Sequence, residues 1–406
     1  MRITHSFVVA AAMTCAAATC LAQGGAMRSP SLLGLPESGP LDYLWGAGSN
    51  SPNLATIASA DAAPQQPVSL SSEMFEKSLA GESCDDCLSC GTCCDSTFYA
   101  RAAGLIMGRD EPNEVWLSFI STDPTSAVLG TRDARSDFEG GAEITFGWRV
   151  GCNERIEATY WTLDAAESSG LVTDSVREVS TSLNLGSLTL GGQPLVGFFD
   201  NAWQHRITRR NEFHNVELNW LYSPSCCGCG GLRMTGLAGV RFFRFDEGLL
   251  FGAASQGFLF NMDPTQEAYY DVDVENNLVG VQVGGSAEYF FTPCVSVYAA
   301  PKVGVYNNHI RHHAQIYRGD NAFSAIDIRS SRNDVAILAQ LDLGLNYQIN
   351  NCWSVYGGYR VVAASGMALS DDQIPQFLED VNSARTIDAA GSLILHGGFA
   401  GAEYRF

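Results

Sequence analysis

The chain has 406 residues, with 24 Lys and Arg against 44 Asp and Glu, and a net charge of −20 at pH 7. An apolar content of 46% argues against wholesale disorder. The acidic balance argues against nucleic acid as a partner, because phosphate binding needs clustered Lys and Arg. Only one 18-residue stretch is nearly free of polar residues, and it lies at the N-terminus. These features exclude a helical membrane protein.

The N-terminal residues 1–22 have the pattern of a secretory signal peptide. Arg2 is followed by an apolar, Ala-rich run, and Ala22 ends a plausible cleavage site. Cys20 is atypical three positions before the cleavage point. A lipobox with Cys20 as the lipidated residue is the weaker alternative, because Thr19 stands before it and the usual Leu is missing. We therefore expect an exported protein.

Residues 23–97 are rich in Ala, Ser, Pro and Gly and show neither helical nor strand periodicity. We interpret them as an extended or disordered periplasmic tail that ends in the cysteine-dense segment 84–94. The CxxCxxCxxCC spacing is also similar to that of iron–sulfur sites. No second motif accompanies it, so disulfides are the favoured interpretation and no metal or cofactor is expected.

From residue 98 onward the hydrophobic pattern has a period of two. In the window 335–349 every odd position is apolar, and the positions between are mostly polar or small. A strand places such residues on one face, whereas a helix scatters them around its circumference. The run is about 15 residues long, while soluble strands average about 5–6. Residues 98–406 therefore predict an all-β fold, an antiparallel transmembrane β-barrel.

The connections between the predicted strands alternate between long and short. With ten strands, the long connections span 109–137, 164–210, 246–274, 307–332 and 365–390. The short connections lie near 151–153, 223–230, 292–294 and 350–352. Long external loops and short periplasmic turns are typical of outer-membrane barrels. A further strand pair around 183–199 makes twelve strands the alternative. A soluble β-sandwich is the main competitor, and Pro301 inside a strand argues against a closed ladder.

The charged positions opposite the apolar face form the predicted lumen lining. They have both signs, which suits either a wet channel of weak charge selectivity or a set of salt bridges that fills it. These lumen-facing candidates are Arg101, Glu143, Arg149, Glu157, Arg233, Arg241, Glu288, Lys302, Asp342, Arg360, Glu403 and Arg405. Phe406 is the last residue, and Tyr404 lies two positions before it on the same face. This aromatic end is similar to the assembly signal that outer-membrane barrels present to their insertion machinery.

The cysteines that remain after signal-peptide cleavage test this topology. Each lies in the tail or beside a predicted short connection, so all are expected on the oxidising periplasmic side, where disulfides form. They are Cys84, Cys87, Cys90, Cys93, Cys94, Cys152, Cys226, Cys227, Cys229, Cys294 and Cys352. We hypothesise that disulfides join the tail to the turns. Their number is odd, so at least one thiol is expected to be free or paired between chains.

Four segments resemble planctomycete-type outer-membrane β-barrel proteins, a family related to the pore-forming outer-membrane proteins of Legionella. The segments are Arg210–Asn219, Gly236–Leu249, Glu275–Gly284 and Gly401–Phe406. They mark strands and turns, and the resemblance covers roughly residues 98–406. It implies a barrel, sometimes called pore-forming, and it implies no catalytic residues.

Motifs for other chemistry are weak. His309, His312 and His313 cluster in a predicted loop, but no carboxylate is placed to orient them as metal ligands. Asp200, His205 and His214 could form a hydrolase set, yet their spacing does not require one and no G-x-S-x-G elbow exists. We therefore expect no enzyme activity.

The favoured function is a narrow pore for passive diffusion of small solutes, inserted in outer-membrane lipid. A closed structural or surface-interaction barrel that anchors the Cys-rich tail is the alternative. About eight strands give a filled interior and 16–18 an aqueous channel, so ten strands leave the choice open.

Overall fold

A computed structural model describes residues 96–135, 137–151, 153–224, 231–375, 377–378 and 384–406. The predicted signal peptide, the tail up to residue 95 and nine of the eleven disulfide candidates lie outside the described residues. The two described cysteines, Cys294 and Cys352, lie in short connections between strands.

Ten antiparallel strands close into a barrel, as the alternating pattern predicts. Their bounds are β1 Phe98–Arg109, β4 Glu139–Arg149, β5 Glu154–Thr173, β9 Gln204–Tyr222, β10 Gly231–Ala254, β11 Glu267–Thr292, β12 Val295–Arg318, β13 Ser324–Gln348, β14 Trp353–Met367 and β15 Gly391–Arg405. Around the ring their order is β1, β15, β14, β13, β12, β11, β10, β9, β5, β4 and back to β1.

The connections at one end of the barrel, the loop end, carry further elements. They are β2 Trp116–Ile120, β3 Asp123–Gly130, β6 Val179–Thr181, β7 Thr189–Leu190, β8 Gln193–Pro194 and the short helix α1 Val196–Phe199. The region 183–199 thus forms small strands and a helix outside the ring, so the twelve-strand alternative is wrong. No helix in the described part of the chain is long and apolar enough to cross a membrane.

Two of the five predicted long loops are mostly strand. The loop predicted at 246–274 shrinks to residues 255–266, and the one at 307–332 shrinks to 319–323. The prediction was wrong there because it traced strands by their apolar outward face, and that face becomes charged along the second half of these strands. The strands β9 to β13 have 19 to 26 residues and continue beyond the apolar band.

The outer face of these long strands changes character along its length. On β10 the outward positions pass from Val240 and Phe242 to Arg244 and Asp246. Arg244 pairs in register with His214 of β9. On β9 the next outward position toward the short turns is the exposed Val216, so the outer face changes at the same level on both strands. Apolar side chains facing outward over one band are the mark of a lipid-exposed barrel wall. We call the end of the barrel with the short turns the turn end. The membrane-spanning segments therefore run from the turn end to the level of His214 and Arg244.

Pro301 lies inside β12 without breaking the barrel. Its register with Leu341 of β13 is regular, whereas the pairing with β11 is interrupted between Ala299 and Lys302. The missing N–H of the proline thus affects one side of the strand only, at a local gap in the ladder.

Candidate functional site: the barrel lumen

The barrel lumen collects the buried charges of the protein. All twelve predicted lumen residues occupy inward-facing positions, on nine of the ten barrel strands. They divide into a set at the turn end, whose arginines are partly exposed, and a buried set in the middle. A third set of buried charges, nearer the loop end, was not foreseen.

The turn end is wet and lined by ion pairs. Arg101 contacts Glu403 at 2.5 Å, and Arg405 contacts the same carboxylate at 2.7 Å. Arg155 contacts Glu157 at 3.2 Å. Across the ring, Arg233 pairs with Glu288, which also accepts a hydrogen bond from Ser296 at 2.6 Å. The side chains of Arg101, Arg155, Arg233 and Arg405 keep between 23% and 42% of their surface exposed, so water reaches this level.

Tyr99 lies across the inner wall at this end because its neighbour has no side chain. A Cβ on Gly147 would lie 2.0 Å from the Tyr99 ring, so only glycine permits the ring to cover β4. The hydroxyl of Tyr99 then donates a hydrogen bond to Glu157 on β5.

In the middle of the barrel, Glu217 is the hub of a buried network. Its carboxylate accepts hydrogen bonds from Lys302 at 2.9 Å and from Gln282 at 2.8 Å, and Arg241 lies 3.6 Å away. Asn215 and Asn219 donate to the same carboxylate. Lys302 belongs to β12 and Glu217 to β9, which are not neighbours, so the ion pair crosses the lumen.

Arg360 forms a second ion-paired bridge across the lumen. It contacts Asp342 on the adjacent strand at 2.9 Å and Glu143 on β4 at 2.5 Å. Two strands, β15 and β1, separate Glu143 from Arg360 around the ring. Arg241 adds a third crossing through a 3.0 Å hydrogen bond to Gln340 of β13. Polar side chains thus bridge the barrel at its mid-height.

Above this network lies a layer of large aromatic side chains. Phe213 and Phe245 stack with ring centroids 4.7 Å apart, and Phe243 and Trp161 pack beside them. All four are essentially excluded from solvent. They belong to one buried apolar cluster with side chains from other walls of the barrel, among them Leu105, Leu278 and Leu338. Close packing of this kind leaves little free volume for a solute.

The next level toward the loop end is a buried charge cluster that holds the loop 368–390. Arg209 contacts Glu247 and, at 2.5 Å, Asp371. Arg109 also pairs with Glu247, and the N–H of Ser370 donates to the same carboxylate at 2.8 Å. Three of these residues are on the barrel wall and two on the loop, so we call the cluster Arg109, Arg209, Glu247, Ser370 and Asp371 the latch.

Gly366 turns the chain inward to reach the latch. Its φ of +77° lies in the left-handed region, and a Cβ there would meet the carbonyl oxygen of Val335 at 2.5 Å. Beyond the turn, the backbone of Ala368 exchanges hydrogen bonds with Asn276 at 2.8 and 2.9 Å. Asn308 donates to the Gly366 carbonyl at 2.9 Å. The loop is therefore fixed to the inner faces of β11 and β12.

An apolar cap closes the loop end. Leu117, Leu129 and Phe199 from the loops pack in one buried cluster with Ile207 and Phe251 of the barrel wall. The loops thus enter the mouth of the barrel.

His205 lies in this cap and is buried on every side. Ser118 Oγ donates to its Nδ1 at 2.7 Å, and its Nε2 donates to the carbonyl oxygen of Phe199 at 2.9 Å. Burial lowers the pKa of His205 to about 3, so the imidazole is neutral.

The residues that could suggest a hydrolase are not brought together. His205 faces the cap, whereas His214 faces outward and contacts Glu212 at 2.9 Å. Asp200 accepts a hydrogen bond from the backbone of Thr181.

The histidines 309, 312 and 313 were predicted in a loop, which is wrong. They lie on β12, where alternation directs His312 inward and the other two outward. Residues of the described ranges form no group of three or more His, Cys, Asp or Glu that could hold a metal ion.

Comparison with known proteins identifies the family. Residues 122–393 match the family described as "Putative beta barrel porin-7" (BBP7). The chain belongs to this family. No curated protein is similar to this BBP7 chain.

Several solved structures are similar to this chain over most of its length. The outer membrane protease OmpT of Escherichia coli is 12% identical, with 79% of this chain and 99% of that chain covered and a TM-score of 0.40. A major outer membrane protein of Thermus thermophilus is 15% identical, with 76% and 99% covered and a TM-score of 0.31. The Ralstonia pickettii toluene transporter TbuX is 11% identical, with 77% and 90% covered and a TM-score of 0.31. The closed ring, its apolar outer band and the family together make the BBP7 chain an outer-membrane β-barrel.

Sequence reasoning missed the latch and the hub of this BBP7 barrel. Glu217 lies within an alternating segment, on the face opposite to the one that carries Leu218. The alternation rule that placed Arg241 in the lumen lining would have placed Glu217 there as well. Arg209 and Glu247 lie in stretches predicted as loops, so the alternation rule was not applied to them. Asp371 lies in a loop without periodicity, and nothing in its sequence neighbourhood indicates a buried partner.

Proposed function

We propose that this BBP7 protein is a closed outer-membrane barrel, a structural or surface-interaction scaffold, in the conformation described. The observation that carries the proposal is the set of side-chain bridges across the lumen, made by Lys302 with Glu217 and by Arg360 with Glu143. Paired and hydrogen-bonded charges of this kind are costly to separate, because breaking a buried pair leaves an uncompensated charge. The aromatic layer, the latch and the apolar cap add three further closures.

The orientation that fits this role places the short turns in the periplasm and the long loops outside the cell, as is usual for such barrels. The cap formed by the loops would then be the surface exposed to the environment. The N-terminal tail would then lie in the periplasm and join the barrel at the turn end. We propose no catalytic role and no bound cofactor for the barrel. The resemblance to planctomycete-type barrels fits a role in a cell envelope.

A narrow pore for small solutes is the second candidate. The partly exposed arginines at the turn end and the name of the family favour it. Under this candidate, the loop 368–390 would have to leave the lumen and the bridges at mid-height would have to separate. Closed scaffold and pore therefore differ in whether solutes cross the folded protein.

Liposome swelling distinguishes the two. Refolded protein is incorporated in liposomes loaded with an impermeant polymer, and arabinose or glucose is added outside. The closed scaffold predicts the swelling rate of protein-free liposomes. A matched variant, Lys302→Ala with Glu217→Ala, removes one bridge across the lumen. The closed scaffold predicts no added swelling from this variant either, because the aromatic layer, the latch and the cap remain, whereas the pore predicts a faster rate than that of the wild type. Uptake of sugar by the wild-type protein would contradict the closed scaffold and support the pore.

A further inference from the structure

Four arginines meet on one wall of the turn end. They come from adjacent strands of the ring, β15, β1, β4 and β5, and we call Arg101, Arg149, Arg155 and Arg405 the arginine cluster. Two carboxylates, Glu157 and Glu403, are interleaved with them. Four positive charges against two negative ones leave this wall with a net charge of +2.

Arg149 stands out within the cluster. Its side chain is exposed and makes no ion pair with any residue of the described ranges, whereas each of the other three arginines contacts a glutamate. In the register of β4 and β5, Arg149 lies directly opposite Arg155. Like charges directly opposite in a strand pair are destabilising.

This arrangement has the chemistry of an oxyanion site. A guanidinium presents a planar fork of donors that matches a carboxylate or a phosphate, and several together attract an anion strongly. An anion between Arg149 and Arg155 would remove their repulsion. The site would lie at the wet end of the lumen, so a ligand can reach it without passing the closed levels above.

The sequence supplies acidic groups at the right place. The chain enters the barrel beside Arg149, whose backbone N–H donates to the carbonyl oxygen of Thr97 at 2.8 Å. Residues 85–95, which immediately precede the described part of the chain, contain Asp85, Asp86 and Asp95 and no Lys or Arg. Asp95 is separated from Thr97 by a single residue. Three negative charges are thus tied by the chain to the mouth of a cationic site.

We propose that the arginine cluster is an oxyanion-binding site and that its ligand is the carboxylate of these aspartates. A tethered ligand has a high effective concentration, since the linker between it and the site is short. The site would fix the segment before β1 to the turn end of the barrel. This inference does not depend on whether the lumen conducts.

The first arm of the test measures anion binding by calorimetry in low salt. The chain from residue 23 is refolded in detergent micelles, as wild type and as a triple variant Asp85→Asn, Asp86→Asn, Asp95→Asn. Inorganic phosphate is the probe. We expect the triple variant to bind one phosphate, and the wild type to bind it about tenfold more weakly, because its own carboxylates compete. Adding Arg149→Gln to the triple variant should weaken phosphate binding about tenfold. Arg329→Gln, at an exposed arginine of the opposite end, is the matched control and should leave the affinity unchanged.

The second arm is a double-mutant cycle on stability, with folding checked by heat-modifiable electrophoretic mobility. Arg149→Gln should destabilise the wild-type chain and should be neutral or stabilising in the triple variant, where the repulsion from Arg155 is not offset. A purely local role of Arg149 predicts the same effect in both backgrounds, which would overturn the proposal. Absence of phosphate binding in the triple variant would overturn the site. Equal phosphate affinity in wild type and triple variant would overturn the aspartates as its ligand.

Discussion

The backbone N–H of Ser370 donates a 2.8 Å hydrogen bond to Oε2 of Glu247, which joins the loop after β14 to the inner wall of β10. Residue 370 is connected through β14 to the opposite side of the ring, so this bond spans the mouth of the barrel. The same carboxylate pairs with Arg109 and Arg209. Despite its burial, these two arginines lower the pKa of Glu247 to about 2, so it stays ionised. The loop is thus held by an anion fixed in the barrel wall.

Asp371 should give the latch a distinctive pH dependence. Burial raises its pKa from 3.8 to about 6, although Arg209 acts in the opposite direction. The folded protein then keeps a proton that the unfolded chain releases between those values, so this group lowers stability as the pH rises through the window. Asp371→Asn removes the contribution. On acidification from about pH 6 to 4, the variant should lose more stability than the wild type, measured by urea unfolding.

His205 should act in the opposite sense. Burial lowers its pKa from 6.5 to about 3, so the unfolded chain takes up a proton in that window while the folded protein does not. Stability is therefore lost as the pH falls through the window. His205→Gln should lose less stability than the wild type between about pH 6 and 4. A change of the same sign in His205→Gln and Asp371→Asn would show that the two groups do not titrate as described.

Glu217→Gln should destabilise the barrel strongly. The substitution keeps the shape of the side chain but removes the charge that faces Lys302 and Arg241. Leaving buried cations without their partner costs about 3–5 kcal/mol. Glu275→Gln is the matched control, because Glu275 faces outward on β11 and is partly exposed, and surface pairs are worth about 0–1 kcal/mol. Equal unfolding free energies for the two variants would rule out the hub.

Gly366→Ala should loosen the loop that enters the lumen. The new Cβ would meet the Val335 carbonyl oxygen and would require an unfavourable φ. Strain of this kind costs about 1–3 kcal/mol. The matched control is Gly104→Ala, where a Cβ would meet no atom within 4 Å. Limited proteolysis in the loop 368–390 should be faster in Gly366→Ala and unchanged in Gly104→Ala. The same rate in both variants would show that the turn does not position the loop.

Local alternation was sufficient to predict the barrel. The window 335–349 falls almost entirely within β13, and the short connections predicted near 151–153 and 350–352 lie between the strands that the structure shows. A period of two is set by backbone geometry and does not depend on distant residues. That is why the strand number and the short turns could be predicted from one sequence.

The contents of the lumen could not be predicted in the same way. Whether Lys302 faces water or Glu217 depends on where β9 and β12 lie around the ring, and alternation carries no information about this. The latch depends on a loop without periodicity, in which Asp371 finds Arg209 by tertiary packing. The extent of β10 to β13 was missed because the outer face becomes charged beyond the lipid, and the strands were traced by their apolar face.

Single-channel recording tests the central claim, that the lumen is closed, most directly. The refolded chain from residue 23 is inserted in a planar bilayer, with folding confirmed beforehand by electrophoretic mobility. The closed barrel predicts a silent membrane across the voltage range, because the bridge between Lys302 and Glu217 and the aromatic layer above it block the path. Reproducible open steps from the wild-type protein would contradict it.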